Sequence, residues 1–133
     1  MSDRAYLDTS AIASLVDASE PRHHAARTWL AKHGDGSLIA HVAVISEAIA
    51  LVERRYGRER THWLTDTLLP SVAIFHGNEV LNIRAMYAFR AGSGRNRPSM
   101  TDCLSFETMR EFELDTAFAF DDDFVEAGFT TVP

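Results

Sequence analysis

The sequence predicts an α/β fold, a three-layer α/β/α sandwich with a mainly parallel central sheet of four to five strands. Short apolar runs of strand length alternate along the chain with longer segments of helical periodicity. Strands that alternate with helices are joined by right-handed crossovers, so the strands run parallel and helices cover both faces of the sheet. The length of 133 residues and the 46% apolar content predict a single domain, residues 1–133, with one core that needs no disulfide.

Each predicted strand is a short apolar run bounded by turn residues or by the start of a helix. In chain order, the predicted strands are residues 5–7, 37–40, 72–75, 116–120 and 129–132. The second strand follows the turn Gly34-Asp35-Gly36. Ligand sites in such folds lie beyond the carboxyl ends of the strands, where the strand order reverses. We therefore expect the functional residues to follow the strands.

The predicted helices are delimited by capping residues and by glycine or proline. In chain order, they cover residues 11–17, 20–33, 42–56, 59–69, 79–91 and 100–112. Asp8-Thr9-Ser10 supplies N-cap chemistry for the first helix, and Ser99 supplies it for the last. Gly57 ends the third helix, and the fourth ends before Pro70. The glycine- and arginine-containing stretch 92–98 is the clearest loop.

Charge and cysteine content limit the classes of protein to which the chain can belong. A net charge of −6 argues against a protein that coats nucleic acid through overall positive charge. No apolar stretch approaches the roughly 18 residues of a membrane span, and Met1-Ser2-Asp3-Arg4 carries no signal-peptide pattern. The single cysteine, Cys103, is typical of a reducing compartment. We therefore expect a cytoplasmic protein that does not associate with membranes.

The basic residues are almost all arginine. Lys32 is the only lysine among 13 basic residues, and planar guanidinium groups can bind phosphates in bidentate fashion. The clustered arginines are Arg54, Arg55, Arg58 and Arg60 in one stretch and Arg90, Arg95 and Arg97 in another. Two interpretations of these clusters stay open, phosphate contacts and solvated helix ends.

Four carboxylates that are far apart in the sequence are expected to share one edge of the sheet. Asp8 follows the first predicted strand, and Asp121 follows the fourth. Asp102 lies in the first turn of the last helix, and Glu47 lies one to two turns into the helix after the second strand. The helical neighbours of Glu47 at i±3 and i±4 are all apolar. They predict a carboxylate without a partner at the margin of a buried stripe, which a bound cation would neutralise.

Clustered carboxylates repel one another and oppose folding unless a metal is bound. Four carboxylate ligands, in a sequence with a single cysteine and no zinc-like histidine spacing, favour Mg²⁺, with Mn²⁺ as a substitute. Such a site is typical of phosphodiester hydrolysis, in which the metal activates a water and neutralises charge on the phosphate. Each acid also has a structural interpretation: Asp8 as a helix cap, Asp102 as a first-turn acid, and Asp121-Asp122-Asp123 as a turn cluster.

Four short motifs contain these acids. They are Tyr6-Leu7-Asp8-Thr9-Ser10-Ala11-Ile12, Ile45-Ser46-Glu47-Ala48-Ile49-Ala50-Leu51, Ser99-Met100-Thr101-Asp102-Cys103-Leu104, and Ala119-Phe120-Asp121-Asp122-Asp123-Phe124 followed by Gly128. In this order and at these spacings, the motifs resemble those of PIN-domain nucleases. They are most similar to the toxin half of VapBC toxin–antitoxin pairs. The resemblance covers nearly the whole chain and implies a parallel sheet between helices.

The resemblance implies a metal-dependent endoribonuclease with a defined set of site residues. Its catalytic and metal-ligating acids would be Asp8, Glu47, Asp102 and Asp121, with Asp123 as a further or water-mediated metal ligand, while Asp122 faces solvent. Thr9 or Ser10 would supply a hydroxyl near the metal or the scissile phosphate, and Arg95 and Arg97 would hold substrate phosphates. The implied partners are an RNA substrate, a cognate antitoxin that blocks the site, and a second copy of the chain in a homodimer.

Two other classes of protein with a similar topology match the sequence less well. Phosphoaspartyl phosphatases have a second aspartate where this chain has Ser10, and a catalytic lysine for which Lys32 is misplaced. Phosphoacceptor receiver domains fail to match for similar reasons. Two alternatives stay open: a non-catalytic PIN-like module that binds metal or protein, and an RNA-processing PIN nuclease without an antitoxin. The aromatic residues Trp29, Trp63, Tyr87 and Phe89 are interpreted mainly as core, with dimer or antitoxin contacts as the alternative.

Overall fold

The computed structural model of the protein describes residues 4–34 and 36–133. The strands are β1 (Ala5–Leu7), β2 (Leu38–His41), β3 (Val72–Phe75), β4 (Thr116–Phe118) and β5 (Thr130–Val132). The helices are α1 (Thr9–Val16), α2 (His23–His33), α3 (Val42–Tyr56), α4 (Arg58–Trp63), α5 (Glu79–Ala91), α6 (Met100–Glu111) and α7 (Asp122–Glu126). Two parts of the sequence analysis, the N-terminal residues 1–3 and Asp35 of the predicted turn, lie outside the described residues.

All five strands form one parallel sheet in the order β3-β2-β1-β4-β5. The chain moves outward from β1 through β2 to β3 and then returns to add β4 on the other side of β1. Strands β1 and β2 are buried along their whole length, so helices cover both faces and the predicted α/β sandwich is confirmed. The strand order reverses between β1 and β4, where Leu7 is in register with Phe118. A site is therefore expected beyond the carboxyl ends of these two strands.

Local sequence accounts for the helix that brings Glu47 toward this edge. The buried residues of α3, which include Val44, Ala48 and Val52, recur every four positions. The His41 ring caps the helix, because its Nδ1 accepts a hydrogen bond from the Ala43 N–H at 3.0 Å. Gly57 ends α3 with φ of 86°, a left-handed conformation that glycine adopts without steric cost.

The largest differences between the structure and the predicted elements lie at three places, and the other bounds differ by at most two residues. Strand β4 ends at Phe118 rather than at residue 120, and the chain then turns into α7, a short helix that the sequence did not predict. Helix α2 begins at His23 rather than at residue 20, after a turn that contains Pro21. The predicted helix 59–69 becomes α4, a π turn at Leu64–Leu68 and a 3₁₀ turn at Leu69–Ser71. In the π turn, the Thr65 hydroxyl donates to backbone carbonyls of the preceding turn, a contact that often distorts helices.

A polar network crosses the core beneath the sheet edge. The fully buried Tyr6 hydroxyl donates to Ser105 Oγ at 2.8 Å and accepts from the His41 N–H at 3.2 Å. Ser105 in turn donates to the Thr101 carbonyl at 2.9 Å. Burial raises the pKa of Tyr6, so the network is neutral. Among the described helices, none is long and apolar enough to cross a membrane.

Candidate active site

Asp8 lies directly beyond the carboxyl end of β1, where its side chain is 5% exposed. It is the N-cap of α1, and its Oδ2 accepts hydrogen bonds from the N–H and the hydroxyl of Ser10 at 3.1 and 2.7 Å. Burial, together with the smaller effect of the negative charges of Asp102 and Asp121, raises the pKa of Asp8 to about 6 against the opposing effect of the two hydrogen bonds. Asp8 is therefore a helix cap and also a buried acid in a negative field.

Ser10 joins the two strands that frame the site. Its hydroxyl donates to Asp8 and accepts a hydrogen bond from the Phe120 N–H at 2.9 Å. The Asp8 N–H donates to the Phe118 carbonyl at 3.1 Å. These bonds fix the residues after β1 against the residues after β4. The Ser10 hydroxyl is thus engaged with the protein itself, and the substrate contact expected of it stays a prediction.

Asp102, Asp121 and Asp123 form a cluster, each offering a carboxylate oxygen within 4.8 Å of the others. Asp102 is in the first turn of α6, where it exchanges capping hydrogen bonds of 3.0 Å with Ser99. Asp121 caps α7 and accepts from the Asp123 N–H at 2.9 Å. The pKa of Asp123 is raised to about 6, mainly by desolvation and next by the negative charges of Asp121 and Asp102. Two chain segments, the starts of α6 and α7, thus bring three carboxylates together, and the charges of Asp102 and Asp121 act on Asp8.

Glu47 lies in a different environment from the one expected. Its side chain is exposed, and its Oε1 accepts a hydrogen bond from the Thr9 hydroxyl at 2.8 Å. The expectation of a partnerless carboxylate at a buried margin is therefore wrong. The buried face of α3 runs through Ala48 rather than through Glu47, so the apolar neighbours do not enclose the carboxylate. Glu47 is thus bonded to the residue that follows Asp8, and it does not belong to the group of three acids that converge.

A cavity of about 710 Å³ opens over the cluster. Its lining consists of Ser10, Arg95, Asn96, Arg97, Phe120, Asp121, Asp122, Asp123 and Glu126. The loop before α6 therefore brings two arginines to the cavity that the acids line, and their contact with substrate phosphates stays a prediction. The guanidinium of Arg97 lies 5.1 Å from the centre of the Phe89 ring. Asp122 is exposed at the rim.

The ion pairs among the described residues join Arg58 to Glu53 at 3.0 Å and Arg110 to Glu107 at 3.2 Å. No arginine of residues 4–34 and 36–133 is thus paired with a carboxylate of the cluster. The arginines at residues 54–60 are exposed at the end of α3 and in α4, and they do not line the cavity. Sequence reasoning missed one arginine near the site, Arg22, whose guanidinium lies 5.2 Å from the centre of the Phe120 ring. No motif marks Arg22, because only the tertiary fold brings it to Phe120.

Comparison with known proteins gives concordant results. A sequence model of the PIN domain matches residues 5–130. The 23S rRNA-specific endonuclease VapC20 of Mycobacterium tuberculosis is 31% identical over 129 residues, which cover 96% of this chain and 96% of that protein. The similarity therefore extends over nearly the whole chain.

Solved structures extend the comparison to the fold. The crystal structure of M. tuberculosis VapC20, a Sarcin-Ricin loop cleaving toxin, matches with a TM-score of 0.82 and 30% identity over 95% of this chain and 96% of that one. FitAcB from Neisseria gonorrhoeae matches with a TM-score of 0.69 over 97% and 96% of the two chains. At 14% identity, that match shows the shared fold alone. The chain belongs to the PIN-domain family and is of the VapC type.

Proposed function

We propose that this chain is a Mg²⁺-dependent endoribonuclease, the toxin component of a type II toxin–antitoxin pair, with residues 1–133 as a single cytoplasmic nuclease domain. The observation that carries the proposal is the cluster of Asp102, Asp121 and Asp123, with oxygens within 4.8 Å of one another, beside buried Asp8. The 31% identity to VapC20, a 23S rRNA-specific endonuclease, supports RNA as the substrate and ribosomal RNA as the first candidate to test.

The acid cluster fits a divalent metal by its charge and by its donor atoms. Asp8 and Asp123 have pKa values raised to about 6, so each carboxylate resists ionisation where the folded protein places it. No arginine of the described residues pairs with the cluster, and every donor is a hard oxygen, which Mg²⁺ prefers and Mn²⁺ accepts. Asp102, Asp121 and Asp123 would hold the ion together with Asp8, and Glu47, which Thr9 bonds, would be a further ligand.

The residues around the cluster supply positioning and charge. A metal held there would provide the Lewis acid that activates water and neutralises charge on the phosphate. Ser10 keeps Asp8 and the segment after β4 in fixed relation through its two hydrogen bonds. Thr9 orients Glu47. Arg95 and Arg97, free of carboxylate partners among the described residues, would hold RNA phosphates over the acids.

Helix α5 presents the surface that we assign to a homodimer contact. The exposed fractions of Val80, Ile83, Met86 and Tyr87 are 60%, 42%, 57% and 63%. Their spacing places them along one side of the helix, and a cavity of about 640 Å³ lies among Ile83, Met86, Tyr87 and Met100. A mainly apolar stripe of this kind, with Arg90 at the same cavity, can pair with its own copy across a two-fold axis. A Met86→Glu variant is expected to be monomeric by light scattering, with an unchanged circular dichroism spectrum.

A cognate antitoxin is proposed as the second partner, one that covers the acid edge and blocks access of RNA. Co-expression with the neighbouring small open reading frame, if that frame encodes a DNA-binding protein, is expected to yield a complex without ribonuclease activity. Free, active toxin in the presence of that protein would instead favour an RNA-processing nuclease without an antitoxin.

The experiment that tests the activity is RNA cleavage by the purified protein. Intact ribosomes and total cellular RNA are incubated with the wild type in Mg²⁺ or in EDTA, and with the Asp8→Asn and Asp102→Asn variants in Mg²⁺. Asp115→Asn is the matched control, because Asp115 is exposed before β4 and bonds only its neighbour Thr116 among the side chains described. We expect cleavage only by the wild type and the control, and only with Mg²⁺.

Three results would overturn the proposal. Cleavage that persists in EDTA, or at the wild-type rate in both Asp8→Asn and Asp102→Asn, would show that the cluster is not the active site. A folded wild type that binds metal but cuts neither ribosomal nor other cellular RNA would favour a non-catalytic binding module.

A further inference from the structure

Arg22 and Phe120 form a contact at the edge of the acid cavity. The Arg22 guanidinium carbon lies 5.2 Å from the centre of the Phe120 ring, and Phe120 lines the cavity together with Asp121. A guanidinium over an aromatic face is attracted by the ring quadrupole. Arg22 belongs to the connection between α1 and α2. It contacts a residue of the cavity lining, Phe120, from a different chain segment than the one that carries Arg95 and Arg97.

The ring contact orients Arg22 without using its N–H groups. The Arg22 side chain is exposed. Among the described residues, no oxygen accepts a hydrogen bond from its guanidinium, and no carboxylate pairs with it. Two arginines differ in this respect, because Arg60 donates to the Val16 carbonyl and Arg58 pairs with Glu53 at 3.0 Å. Arg22 is thus a held cation whose planar donors remain available, the arrangement that suits bidentate binding of a phosphate.

Phe120 itself is fixed relative to the acids. Its N–H donates to Ser10 Oγ at 2.9 Å, and the same hydroxyl donates to Asp8 at 2.7 Å. The centre of its ring also lies 6.4 Å from the centre of the buried Phe118 ring. A guanidinium that rests on Phe120 is therefore placed relative to Asp8 through the two hydrogen bonds that link Phe120 to Ser10 and Ser10 to Asp8.

The cavity carries more negative than positive side chains, so a further cation beside it would favour the binding of RNA. Its lining includes four carboxylates, three aspartates and Glu126, against the two guanidinium groups of Arg95 and Arg97, and Asp8 and Asp102 add to the negative field. A polyanion that approaches this edge is repelled unless cations on the rim hold its backbone. Resting on the proposed ribonuclease function, we propose that Arg22, oriented by Phe120, is a positioning residue that binds an RNA phosphate adjacent to the scissile one.

The first readout is RNA binding, which does not depend on cleavage. Binding of a fluorescein-labelled single-stranded RNA of mixed sequence is measured by anisotropy in Mg²⁺ over a range of salt concentrations, with all proteins carrying Asp8→Asn to suppress cleavage. Loss of one phosphate contact is expected to lower the slope of log K against log salt by about 0.7. We expect Arg22→Ala to show this change and to weaken binding about fivefold to tenfold at low salt.

The second readout is the division between KM and kcat in the otherwise wild-type protein. Arg22→Ala is expected to raise KM for RNA about fivefold to tenfold and to change kcat less than twofold, because uniform binding is lost and the acids are untouched. Arg22→Lys keeps the charge but not the planar fork. It is expected to raise KM less than Arg22→Ala does and to have a salt slope between those of Arg22→Ala and the wild type. Phe120→Leu is expected to raise KM in the same direction, because the guanidinium loses the ring that orients it.

Arg110→Ala is the matched control. Arg110 also lies over a phenylalanine ring, with its guanidinium 5.7 Å from the centre of Phe129, but its donors are engaged by Glu107 at 3.2 Å. It follows Asp102 by eight positions in α6, about 12 Å along the helix. The Arg110→Ala variant loses the same charge and a similar ring contact, and it is expected to bind RNA with the wild-type slope and KM.

The outcomes separate the role of Arg22 from the activity itself. If the wild type cleaves RNA while Arg22→Ala keeps its salt slope and KM, or changes them no more than Arg110→Ala does, the role of Arg22 is refuted and the ribonuclease function stands. If wild-type protein binds and cleaves no RNA, both fail. Thermal unfolding midpoints are compared in parallel, and a fall in kcat with unchanged KM would mark Arg22 as structural and would also refute the proposal.

Discussion

Tyr6 and Asp8 are two residues apart at the end of β1, and both are buried, yet their surroundings differ in kind. The Tyr6 hydroxyl is 0% exposed and has both a donor and an acceptor in the protein, His41 N–H and Ser105 Oγ. The Asp8 carboxylate is 5% exposed and has two donors from Ser10, but it lies in the field of Asp102 and Asp121. The first network is complete and neutral, whereas the second carries negative charge that the described residues do not neutralise.

The difference separates a structural polar network from a site that requires a ligand. Buried polar groups that satisfy one another contribute to a unique fold. Clustered carboxylates without cations destabilise the fold to which they belong, so their presence indicates a use beyond folding. The acids should therefore be needed for activity and not for stability, and Tyr6 should show the reverse.

The largest effect is expected at Asp121. In Asp121→Asn, a neutral amide replaces a central carboxylate of the cluster, and RNA cleavage is expected to fall at least about a hundredfold, since even indirect support of a metal site is worth tenfold to a hundredfold. Single-turnover cleavage of ribosomal RNA measures the effect. Activity within threefold of the wild type would remove Asp121 from the active site.

The Tyr6→Phe variant is expected to change stability and not activity. Removal of the hydroxyl leaves the His41 N–H without its acceptor, and Ser105 loses a donor. The free energy of unfolding is expected to fall by about 1–3 kcal/mol, as measured by urea titration, while kcat at a temperature where the variant is folded stays unchanged. A loss of cleavage in the folded variant would mean that the two networks are coupled.

The metal-free stability should depend on pH through Asp8. Its pKa is about 6 in the folded protein and about 3.9 when unfolded, so the folded state binds more protons between these values and loses stability as pH rises through 6. Asp8→Asn, which can still cap α1, removes this loss. In EDTA, the stability advantage of the variant is expected to be about 1 kcal/mol larger at pH 7 than at pH 5. A constant difference in urea titrations at the two pH values would contradict the raised pKa.

The smallest effect is expected at Asp122. It lies between two residues of the cluster in sequence, but its side chain is exposed and it is not one of the three acids that converge. Asp122→Asn is expected to keep cleavage within about twofold of the wild type, as is usual for a surface substitution. A loss comparable with that of Asp121→Asn would show that the run of three aspartates acts as a unit.

Much of the fold could be predicted because local signals were strong. Helix α3 has the predicted bounds, since a run of apolar residues at helical spacing ends at Gly57. Helix α7 was missed because it is five residues long and acidic at its start, which reads as a turn. The π turn after α4 depends on where the Thr65 hydroxyl points, a detail that periodicity does not encode.

For the candidate site, the sequence predicted which residues meet at the sheet edge, but it did not predict the surroundings of each side chain. The rule that parallel strands share an edge placed Asp8 and Asp121 together, and the capping position placed Asp102 beside them. The environment of Glu47 was mispredicted because apolar neighbours along a helix do not reveal which face is buried. The contact between Arg22 and Phe120 joins residues 98 positions apart, and no local pattern could predict it.

The most direct test of the central claim is to locate the metal. Crystals of the protein soaked in Mn²⁺ are measured for anomalous scattering, with crystals of Asp121→Asn treated identically. We expect a strong peak among the carboxylates of Asp102, Asp121 and Asp123, at about 2.0–2.2 Å from their oxygens, and its loss in the variant. A wild-type map with no peak at these residues, from crystals of a protein whose RNA cleavage requires Mn²⁺ or Mg²⁺, would contradict the assignment of the cluster as the metal site.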